Sequence, residues 1–159
     1  MSELASIKST VFADTFALLS PGMDSLPARA MLLTIGLQES RFEYRKQIGG
    51  PAHGFWQFEA GGGVKGVLSH TQTRAPIAHV CAARGVNPTV TDCYNAIIND
   101  DILACAFARL LLYTVPGRLP NQDERNKGWA QYIDGWRPGA PHRHTWDAFY
   151  DQAWREVIT

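Results

Sequence analysis

The sequence has few cysteines and no excess charge of either sign, and each shortage argues against a class of protein. Its three cysteines, Cys81, Cys93 and Cys105, are odd in number and include no Cys-x-x-Cys pair. This argues against a disulfide framework and against a cysteine zinc site, so we expect reduced thiols in the core. Fifteen Lys and Arg balance fifteen Asp and Glu, whereas a module that binds nucleic acid is usually basic. We therefore expect no nucleic-acid partner.

Long hydrophobic runs are also missing. No stretch approaches the roughly 18 apolar residues that a transmembrane helix requires. Residues 1–29 lack the basic segment followed by an apolar one that marks a secretory signal peptide. We therefore expect a protein made in the cytoplasm, for which any action outside the cell needs another route of delivery. The 159 residues, 45% of them hydrophobic, predict a single domain, 1–159, with an ordinary packed core. We expect a monomer, although no feature of the sequence determines the oligomeric state.

Helical patterns cover most of the chain. The segment 26–40 is apolar nearly all round, which is typical of a helix buried in the middle of a domain. The glycine-rich segment 49–66 predicts a loop, or at most a short β excursion around 54–58. Together these patterns predict an all-α fold with a minor β excursion, built around a buried central helix. Helices are expected near 4–19, 26–40, 74–84, 91–98, 100–115 (with Asn99 as N-cap), 122–134 and 145–158.

Glu39 stands at the end of the predicted central helix. Leu33, Ile35 and Leu37 precede it and Phe42 follows it. Apolar surroundings disfavour the charged form of a carboxyl and raise its pKa, which suits a general acid near neutral pH. The alternative is that Glu39 faces solvent where the helix reaches the surface.

Three short motifs accompany this glutamate. Glu-Ser-Arg-Phe at 39–42 is followed by Gly-Phe-Trp-Gln at 54–57 and, late in the chain, by Ala-Gln-Tyr-Ile at 130–133. In this order they resemble the lysozyme-like superfamily, specifically the soluble lytic transglycosylases and the goose-type lysozymes. Phe55 and Trp56 stand where that family has Leu and Met, and Ile133 stands where it has Asn. The continuation Trp-Arg-Pro-Gly at 136–139 looks like small phage-encoded peptidoglycan hydrolases.

The resemblance implies a lysozyme-like helical domain and a role for each matching residue. Glu39 would protonate the glycosidic oxygen between two sugars of a peptidoglycan strand. Ser40 and Gln57 would hydrogen-bond the reacting centre or the substrate, although a helix C-terminal Ser also satisfies backbone groups. Tyr132 would hydrogen-bond Glu39, with ordinary core packing as the alternative. Aromatic rings stack well on sugar rings, so Trp56 and Trp136 are candidate substrate-binding residues.

A second carboxylate decides between two reactions. Goose-type lysozymes carry a carboxylate two residues past the motif glutamine, and Glu59 holds that place here. Alternation along an extended segment would turn Gln57 and Glu59 to one side and Phe58 to the core. A base opposite an acid, with carboxyls roughly 6.5–9.5 Å apart, is the inverting geometry of a hydrolase. In lytic transglycosylases the sugar's own 6-hydroxyl attacks instead, and Glu59 would then be a surface charge at the start of a glycine loop.

These residues predict a hydrolase of peptidoglycan glycan strands, of the muramidase or endolysin type, that cleaves the β-1,4 bond between N-acetylmuramic acid and N-acetylglucosamine. The alternatives are a lytic transglycosylase that leaves 1,6-anhydro ends, and a non-catalytic virion or wall-binding module on the same fold. A holin pore or a virion would deliver the protein to the wall. The five histidines follow no metal-ligand spacing, so we expect no metal and no cofactor.

Overall fold

The computed structural model describes residues 2–159 and is mostly helical, which confirms the all-α prediction. The first helical stretch consists of α1 (Glu3–Ser6), a π-helical segment (Ile7–Phe12) and α2 (Ala13–Ala17), and a 3-10 turn (Pro21–Met23) follows it. A second π-helical turn (Ala60–Val64) leads into α4. The other helices are α3 (Leu26–Ser40), α4 (Lys65–Ser69), α5 (Arg74–Arg84), α6 (Val90–Ala96), α7 (Asp101–Thr114), α8 (Arg125–Trp136) and α9 (Arg143–Val157).

Helix α3 is the buried central helix that the sequence predicts. It begins where Ser25 accepts a hydrogen bond from the Ala28 N–H, and a proline lies in its first turn, an arrangement that satisfies free backbone groups. Every residue from Ala30 to Leu37 is buried. The helix packs mainly against α9 and also against α7. Because no face of α3 is left for solvent over this stretch, only the two ends of the helix reach the surface.

The chain leaves α3 through a tight turn. Arg41 and Phe42 both have φ of 55°, a left-handed conformation that is uncommon outside glycine. Ser40 holds this turn: its hydroxyl accepts from the Phe42 N–H (3.1 Å) and donates to the Phe55 carbonyl (2.6 Å). The Phe42 ring then lies against the helix, where a Cβ on Gly36 would come within 2.0 Å of it. The end of α3 is thereby tied to the loop that contains Phe55.

The extended conformation considered for 54–58 is not observed, because the chain makes a turn there. Its β character is limited to isolated bridges that join His53 to Lys46 and to Phe58. Gly54 has φ of 78° and Gln57 has φ of 54°. A Cβ on Gly54 would lie 2.8 Å from the Ile97 carbonyl oxygen, so this position requires glycine.

Residues 49–53 form the predicted loop, but 60–66 is helical with a kink at Gly62, contrary to the prediction of a loop there. Gly61–Gly63 lie in the π-helical turn before α4. Val64 and Val67 are buried in the core, and Gly63 packs against the Phe58 ring, 2.9 Å from where a Cβ would stand. Burial of the two valines therefore outweighs the low helix propensity of glycine.

The remaining helices correspond to the predictions with shifted ends. The N-cap of α7 is Asp100, whose side chain accepts from the Leu103 N–H, and not Asn99. Helix α8 begins three residues later than predicted and α9 two residues earlier. All three cysteines are buried and free, as expected. No helix within residues 2–159 is long and apolar enough to cross a membrane.

Candidate active site

A cleft of about 440 Å³ opens at the C-terminal end of α3. Three parts of the chain enclose it: the last turn of α3, the loop that runs from Tyr44 to Glu59, and the segment from Tyr132 to His142. Its lining side chains that the sequence singled out are Glu39, Gln57, Glu59, Tyr132 and Trp136. Five of the seven predicted site residues therefore meet in one cleft, although they are spread over about 100 positions of the chain.

Glu39 is the residue at the inner wall of this cleft. One oxygen of its carboxyl, Oε2, accepts a short hydrogen bond from the Tyr132 hydroxyl. Burial raises the pKa of Glu39 from 4.5 to about 7, the hydrogen bond from Tyr132 acts against this shift, and the charge of Glu59 adds to it. A carboxyl with this pKa is about half protonated at neutral pH, so it has a proton to give when a basic oxygen is brought beside it.

Tyr132 is fixed by its neighbours on α8 and α9. Its ring is buried and stacks on that of Trp146 with centroids 5.2 Å apart. The ring of Trp129 also packs against it, with centroids 5.5 Å apart. Gly128, one turn earlier, allows α8 to approach closely, since a Cβ there would lie 2.9 Å from the Tyr150 ring. Burial and the Glu39 charge raise the pKa of Tyr132, so its hydroxyl stays a neutral hydrogen-bond donor. The suggested contact between Tyr132 and Glu39 is therefore present.

Gln57 and Glu59 lie on the cleft side of their loop, and Phe58 between them is buried against Phe107 and Trp136. The sequence predicts this arrangement from extended-strand alternation, but a turn produces it: Gln57 is left-handed and its amide nitrogen donates to the Gly54 carbonyl at 2.8 Å. Glu59 is exposed at the rim. It is close enough for its charge to raise the pKa of Glu39.

Two of the predicted substrate-binding residues do not reach the cleft. Ser40 is 1% exposed and its hydroxyl is taken up by the turn after α3, so the expectation that it contacts substrate is wrong. Trp56 is fully buried and its indole nitrogen donates to the Leu32 carbonyl at 2.8 Å. It therefore belongs to the core and offers no face to a sugar. In both cases the side chain completes the packing that holds Glu39 in place.

Trp136 is the tryptophan that borders the cleft. Its indole nitrogen donates to the Trp56 carbonyl at 3.0 Å, and its ring lies 6.3 Å from that of Tyr132. The ring is half-buried, so it is both held in place and accessible at one side. Its predicted role in stacking on sugar rings stays a prediction.

Several lining residues have no motif that would have identified them. Tyr44 and Ile48 are exposed apolar side chains at the rim, and Ile48 is 79% exposed. Gln38 binds the backbone of the opposite wall, because its amide nitrogen donates to the His142 carbonyl at 2.9 Å. The position of Gln38 beside Glu39 was the one available signal. Nothing in the local sequence indicates that 44–48 folds over the cleft.

The cleft continues into a second basin of about 640 Å³. Glu59, Trp136 and Arg137 line both basins. The second basin is bordered on one side by the glycines of the π-helical turn and on the other by the end of α7 and by Asp134. Because three side chains line both basins, the basins adjoin each other, and together they are here called the two-basin groove.

Metal chemistry finds no support in the described part of the chain. No group of three or more His, Cys, Asp and Glu side chains is placed to hold an ion. His53 is buried with its Nδ1 2.8 Å from the Tyr94 carbonyl, and its ring stacks on that of Tyr94. These contacts explain His53 as a structural residue.

Comparison with known proteins returned no matching family model, no matching curated protein and no matching solved structure. The geometry of the groove therefore carries the functional argument.

Proposed function

We propose that the protein is a hydrolase of peptidoglycan glycan strands, of the muramidase type, in which Glu39 is the general acid. The observation that carries this proposal is the Glu39 carboxyl itself. It lies at the wall of a groove, its pKa is raised to about 7 by burial, and a neutral tyrosine hydroxyl orients it. Cleavage of a glycosidic bond requires a protonated acid beside a poor leaving oxygen.

In the proposed reaction the Glu39 proton passes to the glycosidic oxygen. The bond from the anomeric carbon to that oxygen breaks, its electron pair stays with the oxygen, and positive charge develops on the sugar ring. Glu59 takes a proton from a water molecule that attacks the anomeric carbon from the other face. The product is a reducing end, and exchange with solvent returns both carboxyls to their starting state.

The shape of the two-basin groove supports a polymeric substrate. A small ligand would fill one enclosed pocket, whereas here two open, adjoining basins share Trp136 as a lining residue. Tyr44 and Trp136 provide aromatic surface along it, and amphipathic rings of this kind pack on the flat faces of sugars. Exposed Ile48 adds apolar area at the rim.

A second candidate reaction is lytic transglycosylation, and one observation favours it. Glu59 is exposed, and no side chain in residues 2–159 hydrogen-bonds to its carboxylate. A catalytic base is usually oriented by a neighbour. Without Glu59 as base, the 6-hydroxyl of the muramic acid would attack its own anomeric carbon and leave a 1,6-anhydro end.

The test is digestion of purified peptidoglycan by the wild type and by Glu39→Gln, with mass analysis of the products. Glu43→Gln is the matched control, since Glu43 is exposed, four residues away and outside the cleft lining. We expect Glu39→Gln to fold and to lose on the order of 10²–10⁴-fold in rate, while Glu43→Gln keeps its activity.

The products separate the candidates. Reducing ends support hydrolysis, and products lighter by one water indicate transglycosylation. Undiminished cleavage by Glu39→Gln would contradict both reactions. Tight binding of the wild type to peptidoglycan without turnover would instead indicate a wall-binding module.

A further inference from the structure

The charges along the two-basin groove are unequal. Its lining contains three carboxylates, Glu39, Glu59 and Asp134, and a single Lys or Arg, which is Arg137. Arg137 lines both basins and so stands where they join. A groove that only held an uncharged sugar chain would need no cation at this point.

Arg137 has no carboxylate partner among the described residues. Six other arginines, namely Arg29, Arg45, Arg84, Arg118, Arg125 and Arg143, each pair with an Asp or Glu. The one side-chain hydrogen bond of Arg137 is a long one, from Nε to the Asp134 backbone carbonyl at 3.3 Å. Its exposed guanidinium is thus left with donors for a ligand.

The backbone conformation at position 137 favours glycine over arginine. Arg137 ends α8 in the left-handed conformation, with φ of 48° and ψ of 54°, and its N–H donates to the Ile133 carbonyl at 3.0 Å. Glycine is the residue most often found at this place in a helix end. Glycine would satisfy the backbone at this position, so the backbone conformation does not account for the arginine side chain.

We propose that Arg137 binds a carboxylate of the peptide stem and makes the groove selective for stem-bearing glycan strands. This inference rests on the proposed function. A guanidinium binds a carboxylate through two parallel hydrogen bonds. The stems of peptidoglycan carry carboxylates beside the sugar chain, whereas chitin carries none. Arg137 is therefore a specificity residue for the proposed reaction and takes no part in the bond cleavage.

The test compares two substrates that differ in whether their carboxylates are free or blocked. One is peptidoglycan freed of teichoic acid, and the other is the same material with its carboxylates converted to methylamides by carbodiimide. The readout is the ratio of kcat/KM on the first to kcat/KM on the second. We expect Arg137→Gln to lower this ratio about five- to tenfold. Arg74→Gln is the matched control, because Arg74 is exposed, unpaired and outside the groove, and it should leave the ratio unchanged.

A second variant separates recognition from folding. Arg137→Gly should lower the ratio as Arg137→Gln does, yet should melt at the same or a higher temperature, because glycine suits the left-handed backbone. A ratio that stays at the wild-type value in both variants would overturn the proposal. So would an equal loss on both substrates, which would indicate a structural role.

Amidase-stripped strands identify the carboxylate, because they retain only the lactyl carboxylate that the amidase exposes. If Arg137→Gln lowers kcat/KM on these strands and leaves intact peptidoglycan unaffected, the stem assignment is wrong. Failure of the proposed function gives a different pattern, in which the wild type cleaves no substrate. Co-sedimentation of Glu39→Gln with and without Arg137→Gln then still decides whether Arg137 binds the carboxylate.

Discussion

Glu39 and Glu59, the two carboxylates with roles in the proposed reaction, lie in very different surroundings. Glu39 ends a buried helix, and a fixed tyrosine hydroxyl binds it. Glu59 lies on an exposed loop that leads into a run of glycines, and no side chain within residues 2–159 hydrogen-bonds to it. Burial raises the pKa of Glu39 and limits the motion of its side chain. Exposure leaves the Glu59 side chain free to move. In the proposed reaction, the proton donor therefore occupies the rigid site, whereas the residue that handles water is placed more loosely.

The largest effect that would sharpen this comparison is on the reaction rate. Glu39→Gln should cost on the order of 10²–10⁴-fold in kcat, while Glu59→Gln should cost about 10–10²-fold, because an unoriented base contributes less. Steady-state digestion of peptidoglycan measures both. Equal losses would show that Glu59 is as well positioned in the enzyme–substrate complex as Glu39.

The pH dependence of stability is the next test. The pKa of Glu39 is about 7 in the folded protein against 4.5 for the free group, so the folded state holds the proton more tightly. The contribution of Glu39 to the free energy of unfolding is fully present below about pH 4.5 and is lost as the pH rises through about 7. Glu39→Gln should therefore be more stable than the wild type at pH 8, by about 1–3 kcal/mol since the group is partly exposed, and should match it at pH 4.

Urea unfolding at both pH values measures this difference. Glu43→Gln serves as the control, because Glu43 is exposed and outside the cleft lining, and its replacement should give no such gain at pH 8. A wild type whose stability relative to Glu39→Gln does not change between pH 4 and 8 would show that the Glu39 carboxyl is solvated in the folded protein.

The turn that supports Glu39 can be weakened without touching the cleft. Ser40→Ala removes the acceptor of the Phe42 N–H and the donor to the Phe55 carbonyl, and all three groups are buried. We expect a loss of about 1–3 kcal/mol in the free energy of unfolding, with the KM for peptidoglycan unchanged. Thermal unfolding and kinetics on one preparation test this. A raised KM with unchanged stability would return Ser40 to the role of a substrate contact.

The smallest effect concerns the Tyr132 hydroxyl. Its hydrogen bond lowers the pKa of Glu39, so Tyr132→Phe should raise that pKa above about 7. Because the acid acts in its protonated form, activity falls as the pH rises through the pKa, and in Tyr132→Phe this fall should move to higher pH by less than about one unit. A pH–rate profile measures the shift. A profile that moves to lower pH would show that the hydroxyl stabilises the protonated form of Glu39.

Much of the fold could be predicted from the sequence, because helical spacing and capping are local signals. The burial of α3 followed from apolar residues on all of its faces, and the position of Glu39 followed from that. The cleft was less accessible to such reasoning. Ser40 and Trp56 carry polar or aromatic groups that suit a substrate, and only the three-dimensional packing shows that backbone carbonyls occupy them.

The glycine-rich segment shows the other limit. Gly61–Gly63 predict a loop from propensity alone, but the burial of Val64 and Val67 makes the segment helical. Gln57 reaches the cleft through a left-handed backbone that no pattern in the sequence indicates. In the sequence, Arg137 stands out only as part of the Trp-Arg-Pro-Gly motif, because its role depends on which charges the fold brings around it.

The contact between Gly36 and the Phe42 ring has a consequence for how this protein can change. A methyl group on Gly36 would overlap the ring at 2.0 Å, whereas one on Gly61 would meet nothing. In a library selected for function, position 36 should accept almost no replacement and position 61 should accept many. The contact between the Phe42 ring and Gly36 would thus restrict sequence change in the helix that carries Glu39, while the side of the groove that contains Gly61 would tolerate it.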